Sequence, residues 1–185
     1  TESIQTEVFR LPSTCFAEEE GSLTNSSRIA IWKERAVEPQ GEAKPDSEIM
    51  ALLFMKLRQM YAKDGGAFPD AILNLDWDYA QPLEPSATEL LREISGKALS
   101  DVLAPPDPAN PSAPRAVLVK AGQQVPGFAM LRDDGSTACG NWLYSGCWSE
   151  AGNLTARRGL EDPTGLGVYQ NFGFAWPANR RILYN

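Results

Sequence analysis

One uninterrupted amphipathic pattern runs through this chain, and prolines and glycines break up nearly everything around it. The pattern covers residues 46–61, directly after Pro45. Ile49, Leu52, Leu53 and Met60 recur at helical spacing, with Met55 and Leu57 on either side of Lys56. Apolar residues three and four apart share one face of a 3.6-residue helix. Asp46 stands where an N-cap is expected, Lys63 falls in the last turn, and Gly65 and Gly66 end the run. On this pattern Met50, Met55 and Met60 are expected to pack in a core. The remaining sequence is punctuated by 15 glycines and 14 prolines, which restrict it to short elements joined by irregular backbone.

Those short elements read as follows. Residues 6–12 form an extended segment stopped by proline. Residues 18–28 are an acidic, Gly/Ser/Asn-rich loop in which Asn25 suits left-handed backbone. Residues 28–33 alternate as a strand. Ser86 caps a second helix over residues 87–94, which Gly96 stops. Residues 115–120 and 128–132 read as strands, Asp133-Asp134-Gly135 as a hairpin-type turn, and residues 141–148 as a further strand. Five prolines within residues 105–114 make an exposed loop that supplies few backbone donors. The fold class is therefore α+β: short mixed strands, one long and one shorter helix, and long irregular loops.

Composition excludes several functions. Net charge is −7 and the isoelectric point about 4.7, which argues against sequence-independent nucleic-acid binding, since phosphate contacts need a basic face. The three cysteines, Cys15, Cys139 and Cys147, are widely spaced, and there is no histidine. That fits neither a disulfide framework nor a zinc site, and small buried residues are the expected reading. No apolar run approaches the roughly eighteen residues of a membrane span. The first residue is Thr rather than Met, and the chain reads as an internal segment.

Several motifs occur in a fixed order. Residues 20–28 read Glu-Gly-Ser-Leu-Thr-Asn-Ser-Ser-Arg, and residues 39–46 read Pro-Gln-Gly-Glu-Ala-Lys-Pro-Asp and open the helix. Residues 131–142 read Leu-Arg-Asp-Asp-Gly-Ser-Thr-Ala-Cys-Gly-Asn-Trp. Arg157-Arg158, the run Asp162-Pro163-Thr164-Gly165-Leu166-Gly167, and residues 176–185 follow. This order resembles the catalytic major subunit of respiratory formate dehydrogenases, within the molybdopterin oxidoreductases, over nearly the whole chain. The stretch 64–124 is the least distinctive.

The resemblance implies a parent enzyme that oxidises formate to carbon dioxide. Such an enzyme carries two molybdopterin guanine dinucleotides, Mo or W, and one [4Fe-4S] cluster. An iron–sulfur beta subunit and a membrane cytochrome b subunit would be its partners, and the periplasm its compartment. Residues 1–63 would end the α/β cofactor-binding domain. Residues 64–185 would be a family-specific insertion leading to the C-terminal cofactor-capping domain. The family's metal-ligating Cys or selenocysteine, its essential His and Arg, and its cluster motif have no counterpart here. The segment alone is thus expected to be inactive, with no catalytic or metal residue and no bound cofactor.

Three residues carry over as cofactor contacts. Asp46 matches the family's Asp that pairs with guanine, while its position also suits a helix N-cap. Ser13 lies in the matching Leu-Pro-Ser-Thr segment, as a nucleotide contact or a turn serine. Glu19 stands where relatives carry a cofactor-contacting Lys or His, a departure because a carboxylate repels pyrophosphate. The alternative function is a stand-alone, non-catalytic interaction module.

Overall fold

A computed structural model of the chain describes residues 3, 5–25, 28–138, 140, 141, 143–166 and 171–175. The architecture is α+β, with three helices, one of them long, and several small antiparallel sheets among the described residues. The chain divides into two compact units, Thr1–Glu20 with Glu34–Ser86, and Gly21–Lys33 with Ala87–Asn185.

The first unit is built on α1 (Asp46–Asp64). Pro45 has φ −55° and ψ 146°, outside helical space, yet its carbonyl already accepts the Ile49 N–H at 3.0 Å. Pro45 is therefore the N-cap, and Asp46, expected there, is the first helical residue with no side-chain cap bond. Proline tolerates this boundary because the N–H it lacks would have no intrahelical partner. Gly65 closes the helix at φ 68°, donating its N–H to the Tyr61 carbonyl at 3.0 Å. The four-residue α2 (Asp70–Leu73) follows, and Arg58 Nη2 donates to the Leu73 carbonyl at 2.8 Å. Phe54 lies tilted against Trp77, and Tyr79 meets Trp77 edge-to-face, with centroid spacings of 4.4 and 5.0 Å.

The helix buries only Ala51. Met50 and Met60, expected in a core, are exposed, and Met55 is half-buried. Within this unit only the short α2 and irregular, proline-punctuated chain are available to cover a nineteen-residue helix. The extended segment read at 6–12 takes no strand assignment among the described residues.

The second unit holds the packed core. β1 (Gly21–Thr24) pairs antiparallel with β2 (Ile29–Lys33), so part of the stretch read as a loop is a hairpin arm. Among the described residues of its turn, Arg28 is left-handed, at φ 62°, and Asn25 is not. α3 (Ala87–Ser95) follows and ends at Gly96, φ 86°, as the sequence indicates. Then come β3 (Lys97–Ala98), β4 (Val102–Leu103) and β5 (Val117–Val119). β4 pairs with β5, so the proline-rich loop is the connection of a wide hairpin. Arg115 Nε donates to the Ala104 carbonyl at 2.5 Å across its base, and residues 105–112 are exposed.

The remaining elements are β6 (Thr137–Ala138), β7 (Trp148–Ser149), β8 (Gly152–Asn153) and β9 (Phe174–Ala175). β3 pairs with β6, β7 with β8, and β9 joins the free edge of β2. Two stretches read as strands differ. Phe128–Met130 is a 3-10 turn, set between Pro126-Gly127 and the Asp133–Gly135 turn, which leave no length for a ladder. Residues 143–146 are a turn held by Asn141, whose carbonyl accepts from Tyr144 N–H at 2.8 Å and Ser145 N–H at 2.7 Å. Asn141 Oδ1 also accepts the Leu143 N–H at 3.1 Å, the local bonding that makes Asn a turn former.

The core itself joins Ala30, Trp32, Leu91 and Cys147, all buried, with Ile94, Tyr144, Trp148 and Phe174 packed around them. A smaller cluster of Ala98, Val102 and Val119 lies under Met130. Buried Ser95 ties α3 to β7: its hydroxyl donates to the Leu91 carbonyl at 2.7 Å and accepts the Trp148 N–H at 2.9 Å. Trp142, Trp176 and Cys139 lie outside the described residues.

Candidate cofactor-binding segment

Ser13, Glu19 and Asp46 all lie in the first unit, where a backbone crossing gathers their segments. Lys44 N–H donates to the Pro12 carbonyl at 3.2 Å, and Thr14 N–H donates to the Lys44 carbonyl at 3.1 Å. This isolated parallel bridge sets Ser13 beside Lys44, just ahead of Asp46 at the start of α1. Pairing of backbone groups is what holds such irregular segments in place.

Glu18 and Glu19 face different tasks. Glu18 is buried, and its Oε2 accepts the Cys15 N–H at 2.8 Å, closing a turn whose Glu18 N–H returns to the Cys15 carbonyl at 3.0 Å. Glu19 accepts the Thr14 hydroxyl at 3.2 Å. Its carboxylate therefore ties the two ends of this loop together. Ser13 Oγ makes only a long 3.4 Å contact with the Thr14 carbonyl, weak for a hydroxyl donor.

Asp46 is exposed in the first turn of α1, with Glu48 beside it. Two carboxylates there suit the positive end of the helix dipole. Lys44 pairs with Glu48, one helical turn on, rather than with Asp46. Among the described residues, the Asp46 carboxylate has no hydrogen-bond or ion-pair partner. Both of its oxygens are open to accept two parallel N–H donors, the arrangement that a guanine N1–H and exocyclic amine present. Asp46 and Ser13 thus fit a guanine nucleotide chemically. Glu19, already holding Thr14, fits as a loop clamp.

The sequence reading missed Thr14, Glu18 and Lys44. Lys44 and Glu48 carry a visible signal, opposite charges four apart at a helix start. Glu18 carries none, because only the fold reveals a carboxylate turned onto its own backbone.

Other charged and reactive groups serve structure. Arg157 Nε and Nη2 donate to the Gly173 carbonyl at 2.9 and 2.7 Å, and Nε also reaches the Leu154 carbonyl at 3.1 Å. Arg158 donates to the carbonyls of Trp32 and Thr155, and its guanidinium lies 5.6 Å from the Phe172 ring centroid. The pair saturates carbonyls in loops that lack ladder partners. Arg180 and Arg181 lie outside the described residues. Cys15 is exposed, against expectation, while Cys147 is fully buried. Burial pushes the Cys147 thiol up to about 12. Among the described residues no cluster of three His, Cys, Asp or Glu side chains could hold a metal. None of their helices is long and apolar enough to cross a membrane.

Residues 9–56, which include Ser13, Glu19 and Asp46, match the family model described as "Molybdopterin oxidoreductase". The chain is 53% identical over 182 residues to the formate dehydrogenase-O major subunit of Escherichia coli (strain K12), covering 98% of this chain and 17% of that protein. It is 50% identical to the formate dehydrogenase major subunit of Haemophilus influenzae, with the same coverage. To the nitrate-inducible formate dehydrogenase major subunit of E. coli it is 45% identical, over 99% of this chain and 17% of that protein. The chain is a homologue of one segment of the formate dehydrogenase major subunits, in the molybdopterin oxidoreductase family. It spans 17% of the length of these relatives.

Proposed function

We propose that the chain works as one segment of a molybdenum or tungsten formate dehydrogenase major subunit, which oxidises formate and passes electrons to a respiratory chain. The observation that supports this most strongly is 53% identity sustained over 98% of the chain. In this reading residues 1–63 complete the cofactor-binding domain, in keeping with a family match that ends at residue 56. Residues 64–185 form the insertion that leads to the capping domain. The metal, its ligands and the [4Fe-4S] cluster belong to other parts of the parent. An iron–sulfur subunit and a membrane cytochrome are its electron partners, in the periplasm.

The segment's own task is to hold the guanine end of a molybdopterin guanine dinucleotide. Asp46 accepts two N–H donors from the base, and the Ser13 hydroxyl reaches the nucleotide. Glu19 keeps the loop shut through Thr14. The cofactor supplies the metal and its dithiolene ligands, and this chain supplies recognition and orientation.

The test is Asp46→Ala against Asp46→Asn in the full-length parent, with cofactor occupancy read by pterin release. Ala is expected to lower occupancy more than Asn, which keeps one acceptor oxygen. Because Asp46 makes no cap bond, neither change should lower the melting temperature much. Equal occupancy in all three proteins would remove the guanine role. A coding frame no longer than this chain would favour the stand-alone module instead.

A further inference from the structure

Two carboxylates share the first turn of α1, and only one of them is paired among the described residues. Glu48, its side chain 16% exposed, binds the ammonium of Lys44 four residues earlier. Asp46 is exposed and has no such partner. Lys44 is nevertheless the cation nearest to Asp46 in the sequence, two residues away across Pro45. Its backbone is fixed, with the N–H on the Pro12 carbonyl and the carbonyl accepting the Thr14 N–H. Its side chain is a flexible four-carbon stem with three rotatable donors, and the two acids of the first turn compete for it.

The outcome of that competition matters for recognition of a base. A carboxylate that accepts two parallel N–H donors uses both of its oxygens. An ammonium on the same carboxylate occupies at least one oxygen and offsets its charge. Pairing with Glu48 removes this competitor, since opposite charges at i and i+4 on a helix attract.

We propose that Glu48 is a positioning residue for the guanine contact: it holds Lys44 away from Asp46 and so keeps both Asp46 oxygens open to the base. The proposal rests on the reading of Asp46 as the guanine acceptor. It carries a sign opposite to that of simple charge. A dinucleotide has negative phosphates, so loss of a nearby carboxylate should by itself tighten binding. With Lys44 released onto Asp46, the same loss weakens it.

The test is Glu48→Gln in the full-length parent, with pterin release from the holoenzyme timed in mild denaturant. Release should be about two- to fivefold faster than in the wild type, the range of one exposed ion pair. The effect should disappear when Lys44→Met is added. It should disappear again beside Asp46→Asn, which offers Lys44 no charge to pair. A pair that only steadied the helix start would leave the Asp46→Asn background as sensitive to Glu48→Gln as the wild type, and that result overturns the proposal. Unchanged or slower release in Glu48→Gln does the same, as does an effect that persists without Lys44. Asp46→Ala in the same series separates the two readings. If it keeps the cofactor as the wild type does, the guanine reading fails and takes the proposal with it. If it loses cofactor while Glu48→Gln does not, the proposal fails alone.

Discussion

In the second unit a five-residue strand buries Trp32 to 5% exposure and Ala30 completely; in the first, a nineteen-residue helix buries Ala51 and little else. The helix has the stronger sequence pattern, and the strand has the better core. Periodicity reports which side chains could share a face. Burial depends on whether other elements reach that face. In the second unit α3, β7, β9 and the turn at 143–146 converge on β2. In the first unit α2 is four residues long and the rest of the partner chain is loop. The lesson is that a helix can be fully formed by its caps and local bonds while its apolar stripe stays exposed.

The contrast breaks most visibly at Trp32. Trp32→Ala removes the largest side chain of the main cluster and strips the packing from Leu91 and Cys147. It should destabilise the chain by about 3–5 kcal/mol, measured by urea unfolding followed by circular dichroism. A loss under about 1 kcal/mol would mean that the second unit is held by its hydrogen bonds rather than by its core.

A smaller effect concerns the two described cysteines. The Cys147 thiol titrates near 12 in the folded chain, against the ordinary 9.0. Folding therefore favours the protonated thiol. Stability from this group is complete below pH 9 and falls between pH 9 and 12, where the unfolded chain ionises first. The slope is at most about 1.4 kcal/mol per pH unit. Cys147→Ala should remove that part of the alkaline decline. In the native chain at neutral pH, maleimide should label Cys15 and spare Cys147, with labelling sites read by mass spectrometry. Equal labelling of both would show that the second core opens as easily as the first unit's surface.

The smallest effect sharpens the comparison from the other side. Leu57→Ala lies on the exposed stripe, and Ala is at least as good a helix former. Its effect on unfolding of this chain should stay within about 0.5 kcal/mol. A loss similar to that of Trp32→Ala would place Leu57 in a core and dissolve the distinction between the units.

The parts of the fold legible in the sequence were those set by local rules. The β2 strand showed itself as alternation, and α3 ended where Gly96 supplies a left-handed residue. α1 was legible as a helix but not as an exposed one, because residues 46–61 carry no record of what would face Met50 and Met60. Asp46 was expected as the cap, and Pro45 took that place by bonding Ile49 through its carbonyl. Residues 141–148 look like a strand until Asn141 turns the backbone onto itself. At the candidate site, the motif order pointed to Ser13, Glu19 and Asp46. The crossing at Lys44 that gathers them depends on two backbone bonds, which side-chain identity does not encode. The arginine pair is visible in the sequence only as a motif, and nothing there shows that its guanidinium groups bond carbonyls that the irregular loops leave without partners.

The sheet of the second unit has one further consequence, which concerns the order in which the chain is made. Ile29 and Ala30 of β2 pair with Ala175 and Phe174 of β9, and Arg158 reaches back to the Trp32 carbonyl. A ribosome releases β2 early and β9 near the end of this stretch. For most of synthesis the free edge of β2 faces the cytosol with its backbone unpaired, and Trp32 lacks much of its cover. Contacts this distant in sequence form slowly, and an unpaired edge invites wrong partners meanwhile. The β2 edge stays open until β9 emerges, so chaperone occupancy on this stretch during translation should fall only after residue 175 has cleared the exit tunnel.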